Sequence, residues 1–231
     1  MMERALDNRG FSDGSVPVLS RGLIIIAVLS LPLITWFDAI GNPISYFHYE
    51  LPPGQVMYIL AKLAGLYAFV LLWLQVMFGL LKHDPLSGYL LPQWSMGKHR
   101  LLGIATLLTA WAHFLLFVAA VSLRKDTIAY DLLLPEFGKG IYFIAVSLGW
   151  FAVIGLTLVA LAGLLRNKSG GIWKHAHRLS LVVFLLALVH AQMIGSEARG
   201  GTWFIVHLLF AGAVLTALIR RFVLQRTQVH Y

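Results

Sequence analysis

The chain has 231 residues, 59% of them hydrophobic and only 12% charged, with a mean hydropathy of +0.79. Soluble domains carry roughly 25% charged residues, and one core of this size could not bury so much apolar surface, so a water-soluble globule is excluded. Cysteine is absent, which excludes disulfides, iron–sulfur clusters, thiolate ligation and covalent attachment through C-x-x-C-H. The formal charge of +8 does not point to nucleic acid, because the basic residues sit at the ends of apolar runs and not in one soluble patch.

About twenty apolar residues cross a bilayer. On that rule the chain is one all-α domain over 1–231, a polytopic membrane bundle with spans near 21–41, 54–81, 99–122, 140–165, 173–195 and 202–222. The first span is expected to kink at Pro32 and to close early at Asp38. It does not read as a cleaved signal peptide, since about twenty polar-leaning residues precede it and no A-x-A-like site follows.

Lysine and arginine set the orientation. One side receives thirteen: Arg4, Arg9, Arg21, Lys82, Lys98, Arg100, Arg166, Lys168, Lys174, Arg178, Arg220, Arg221 and Arg226. The other receives only Arg124, Lys125, Lys139 and Arg199, while Lys62 falls inside a span. Both termini are therefore expected in the cytoplasm, with the third and fifth spans both running outward.

Each of those two spans carries a pair of histidines about four turns apart. His99 and His113 are fourteen positions apart on the third, and His177 and His190 are thirteen apart on the fifth. Each pair spans about 20 Å of helix. An ionisable group at such depth is a functional hypothesis by default; one alone could be a hydrogen-bonded structural residue, but four at paired spacing and matched depth argue against that. Angular phase is untidy: His113 lies about 40° from the face of His99, His190 about 140° from that of His177, and about 60° from that of His175. A bulge or curvature would have to absorb the larger misfit, and geometry alone leaves His175 open as the inner member. Facing imidazoles at two levels are what two stacked six-coordinate hemes require.

The spacings H-x13-H and H-x12-H resemble the ferric-reductase-like transmembrane superfamily of NADPH oxidases, metalloreductases and the heme-binding membrane subunit of the periplasmic methionine sulfoxide reductase system. The resemblance implies six helices with two b-type hemes between the third and fifth, His99, His113, His177 and His190 as iron ligands, and a bacterial inner-membrane setting. It selects His177 over His175. The segment W-K-x-x-H-R at Trp173–Arg178 is similar to the sulfoxide reductase subunit, whereas His99 follows the oxidase and metalloreductase pattern.

Arg100 and Arg178 follow the inner histidines directly, so guanidinium–propionate pairing is expected there, as is plain positive-inside placement. Gly103, one turn beyond His99, suits the close approach of a porphyrin face or of another helix. Trp111, Phe114 and Phe117 face the outer site or lipid. His207 is expected to pack structurally, with propionate contact or ligation as alternatives, and His48, His83 and His230 to be ordinary polar residues. No G-x-G-x-x-G follows a strand. Electrons are thus expected from a cytoplasmic flavin reductase or flavoprotein, or from FMN or FAD at that face, and are expected to pass to an extracytoplasmic reductase or small acceptor docking at loops 42–53 and 123–139. Ferric or oxygen reduction and quinol-linked cytochrome b chemistry, faintly suggested by Pro135–Gly138, are the redox alternatives. A transporter or assembly scaffold is the non-redox one.

Overall fold

The computed structural model describes residues 18–41, 50–82, 84, 96–167, 171–199 and 201–228. Helices α1 (Val18–Ile40), α2 (Gln55–Leu81), α3 (Met96–Lys125), α4 (Ile141–Leu164), α5 (Ile172–Arg178), α6 (Ser180–Ile194) and α7 (Gly201–Gln228) follow in chain order, with a 3₁₀ turn at Tyr130–Leu132 between α3 and α4. Six segments are long and apolar enough to cross a membrane, α5 and α6 together forming one of them. The chain is thus an all-α polytopic bundle and an integral membrane protein. Helices suit this setting because each satisfies its own backbone polar groups where no water can.

Helix α2 is the hub. In its span 44% of residues are buried, against 6% for α1, and it packs against α1, α3, α6 and α7. Its Leu66, Phe69, Val70, Leu72 and Val76 form the core with Val183, Phe184, Trp203 and Phe210. Helix α4 closes the other side against α5 and α6. The opposite faces stay apolar and exposed: Leu101, Leu108 and Leu115 recur at two-turn spacing along α3, a stripe suited to lipid.

Helix α1 runs through Pro32 and past the expected stop at Asp38. It ends at Gly41, whose φ of 71° admits the left-handed turn that lets its N–H bond the Phe37 carbonyl at 3.1 Å. Trp36 ties it to α2, donating from Nε1 to the Ile59 carbonyl at 2.8 Å. At the same end of α2, its N-cap Gly54 has φ 77° and lies so close to Ala120 of α3 that a side chain would meet the Ala120 carbonyl.

The fifth span is broken. Between α5 and α6 the Leu179 N–H bonds the Ala176 carbonyl at 3.1 Å, three residues back, before α-type bonding resumes from Val183 N–H to the Leu179 carbonyl at 2.9 Å. A tightened turn of this kind shifts the phase of the two segments, and it stands between His177 and His190, where the ideal-helix misfit arose.

The connection between α3 and α4 is held down. Ser147 Oγ accepts from the Glu136 N–H at 2.7 Å and donates to its carbonyl at 3.0 Å, and Trp150 Nε1 donates to the Leu133 carbonyl at 3.0 Å. Of the loop expected at 42–53, residues 42–49 lie outside the described residues.

Lys62, within the span of α2, meets Glu197 of the α6–α7 connection at 2.6 Å, with side chains 22% and 14% exposed. Burial pushes the Glu197 carboxyl up, but hydrogen bonds from Lys62 and Ser196 outweigh it and hold the group below its ordinary value. A depressed folded-state value means that this stabilisation is complete above the unfolded carboxyl value of about 4.3 and lost as pH falls through the folded one. Glu197→Gln is therefore expected to lower the thermal midpoint in detergent at pH 7, and the gap from the parent should close only below about pH 4. A gap unchanged at lower pH would show that the carboxylate charge is not what stabilises.

Candidate functional site

Helices α3, α5 and α6 bring His99, His113, His177 and His190 into two facing pairs. His113 of α3 and His190 of α6 have ring centres 6.3 Å apart with planes at 76°. His99 of α3 and His177 of α5 are 5.8 Å apart at 73°. His175, the alternative inner residue, is exposed. Fourteen residues of unbroken α3 put the pairs about 21 Å apart along its axis.

The outer pair is built twice on one plan. His113 Nδ1 lies 2.8 Å from the Ala61 carbonyl of α2, and His190 Nδ1 lies 2.7 Å from the Ala145 carbonyl of α4. A carbonyl only accepts, so each Nδ1 carries the proton and each Nε2 keeps a free lone pair. One turn beyond each carbonyl is a glycine. A Cβ at Gly65 would sit 2.8 Å from His113 Nδ1, and one at Gly149 would sit 2.5 Å from His190 Nδ1. Each ring therefore lies on bare backbone. Two imidazoles joined through one metal by bonds of about 2 Å would have ring centres roughly 6.3 Å apart, the separation seen at the outer pair and about half an ångström more than at the inner one.

Among the described residues, no three His, Cys, Asp or Glu converge as a bare metal ion would need. Paired imidazole nitrogens suit a metal whose other ligands come from a macrocycle, and the residues present would fit a heme. A cavity of about 210 Å³ opens beside the outer pair, mostly apolar, with Phe69, Phe114 and Phe117 in its wall. Trp111 instead ties α3 to α4, donating from Nε1 to Thr157 Oγ1 at 3.1 Å. His207 of α7 also lines the cavity. It is 1% exposed, and its Nδ1 donates to the Trp203 carbonyl at 3.0 Å within its own helix, while its ring packs 4.3 Å from that of Phe69. The Lys62–Glu197 pair stands in the same wall.

At the inner pair, Arg100 and Arg178 follow their histidines and are exposed. Gly103 lies under Gln75 of α2: a Cβ there would be 3.1 Å from Gln75 Nε2, which itself is 3.3 Å from His99 Nε2. His48, His83 and His230 lie outside the described residues.

Ala61, Gly65, Ala145, Gly149 and Gln75 were not singled out from the sequence. The signal for the first four was present as A-x-x-x-G, once on α2 and once on α4, a small-residue spacing that ordinarily marks close helix packing. Gly149→Ala is expected to push His190 aside and to cost about 1–3 kcal/mol, as overpacking does. Gly163→Ala on the same helix meets nothing within 4 Å and should be neutral or mildly stabilising. Thermal unfolding of the two variants in detergent checks the contrast, and equal midpoints would sink it.

No curated protein and no solved structure matches the chain. A family model does, over residues 64–188, a stretch that runs from within α2 into α6 and holds His99, His113 and His177, with His190 two residues beyond its end. With more than half of its length matched, the chain belongs to the ferric reductase like transmembrane component family.

Proposed function

We propose that this protein is a di-heme b membrane cytochrome that moves electrons from a cytoplasmic flavin donor to an extracytoplasmic acceptor. The observation that carries the proposal is the stacking of two facing histidine pairs on helices of one membrane bundle. Hemes held there, between the third and fifth spans, would supply one-electron carriers at two depths. His113 and His190 present Nε2 lone pairs whose direction is fixed by the carbonyls behind them, and His99 and His177 form the second set. An iron held by the two imidazoles of a pair would keep no open position, which would favour electron transfer over oxygen binding. The basic residues beside the inner pair, Arg100 and Arg178 among them, form an electropositive surface suited to a flavin phosphate or an acidic donor protein. The positive-inside bias places that surface and both termini in the cytoplasm. The leading role is the membrane subunit of a periplasmic reductase system of the methionine sulfoxide type, in a bacterial inner membrane. His99 favours a second reading, a metalloreductase- or oxidase-like protein that passes electrons directly to a small acceptor at the outer face.

The purified protein is expected to carry two non-covalent b hemes per chain by pyridine hemochrome assay. Absence of heme after expression with ample heme supply would falsify the proposal. The ligand pairs should also act as units: His113→Ala and His190→Ala should remove one spectral component, and His99→Ala and His177→Ala the other. Loss of the inner component in His175→Ala but not in His177→Ala would reassign the inner ligand.

Direction can be tested in vesicles with a flavin donor confined to the cytoplasmic side. Variants lacking an outer ligand should still show reduction of the inner component by stopped flow but no transfer outward, whereas His99→Ala should block both. Fast reduction of the outer component in His99→Ala would show that electrons do not arrive through the inner pair.

A further inference from the structure

The two histidine pairs are held in different ways. Both outer rings are pinned by a carbonyl behind Nδ1 and a glycine beneath the ring. The inner pair has no such support among the described residues: His177 Nδ1 is buried and has no hydrogen-bond partner. What the inner pair has instead is Gln75. This amide reaches in from α2, donating from Nε2 to the His99 carbonyl at 3.1 Å and lying 3.3 Å from His99 Nε2, while its own Oε1 is buried without a partner. Gly103 makes room for it. A glutamine inside an apolar helix is costly unless it is used, and here half of its hydrogen-bonding capacity goes unused while the other half is spent on His99.

We propose that Gln75 is a positioning residue of the inner site that competes with iron for His99 Nε2, so that the protein holds its outer heme tightly and its inner heme exchangeably. The inference rests on the di-heme proposal above. An imidazole Nε2 has one lone pair, and an amide N–H that hydrogen-bonds it occupies the electrons an iron would take. Whenever the iron–His99 bond opens, Gln75 captures the freed nitrogen and slows rebinding. Among the described residues no side chain plays that part at the outer pair, and the free lone pairs of His113 and His190 are already directed. A neutral hydrogen bond of ordinary strength corresponds to roughly a two- to tenfold effect on retention.

Heme transfer from the full-length holoprotein in nanodiscs to excess apomyoglobin, followed in the Soret band, tests this. The parent should lose heme in two phases. His99→Ala should lack the fast phase, and His190→Ala the slow one. Gln75→Met keeps the length of the side chain but donates nothing; it should slow the fast phase about two- to tenfold and leave the slow phase alone. Gln75→Leu should do the same if the methionine variant is poorly folded. The opposite sign, faster loss in either variant, would make Gln75 a scaffold and overturn the proposal, as would an unchanged fast phase or two hemes leaving at one rate. A preparation with no heme would instead overturn the di-heme reading beneath it, so the two failures are distinguishable.

Discussion

A histidine can present one ring nitrogen to a partner in a fixed direction only if the proton on the other nitrogen has a home, and in an apolar bundle that home must be protein. The carbonyls of Ala61 and Ala145 provide it. In an α-helix these oxygens are already engaged by the N–H four residues on, at Gly65 and Gly149, so each imidazole shares an occupied acceptor. It can approach only because those residues lack a Cβ. Much of the architecture serves this contact. Helix α2 stands against α3, and α4 against α6, with each neighbour offering a small-residue face to a histidine. The most buried span, α2, is also the one that supports His113 from one face and sends Gln75 toward His99 further along.

The interruption at Leu179 serves the same geometry. On a continuous helix, histidines thirteen positions apart point to different sides, yet both His177 and His190 meet partners on the single unbroken helix α3. One i→i−3 bond at Leu179 separates their phases. Helix regularity is given up in the fifth span so that both pairs can face across the same interface.

The number of spans and the histidines worth watching were legible in the sequence, because both rest on properties local to a helix: apolar length, and position along an axis. That His177 and not His175 faces His99 was not legible from geometry, since an ideal helix has no term for the Leu179 turn. Helix α1 runs through Pro32, as the span expected over 21–41 does, and Pro32 is buried there. Gly65, Gly149 and Gln75 escaped for a related reason. Each acts on a side chain of a different helix, and nothing in a one-dimensional string says which residue of α2 or α4 will stand behind which histidine. Gly103 was legible as a place of close approach, but its neighbour in the structure is the Gln75 amide.

Both histidine pairs join residues far apart in the chain: His177 follows His99 by 78 positions, and His190 follows His113 by 77. During synthesis neither pair exists until the fifth span has entered the bilayer, so α2, α3 and α4 must be inserted with their polar groups still waiting for partners. The outer histidine of α3 can find its carbonyl early, because α2 precedes it; His190 can do likewise on α4. The pairs themselves form last. Heme capture as proposed would thereby be tied to completed insertion, and a chain stalled after α4 would present only one histidine of each pair.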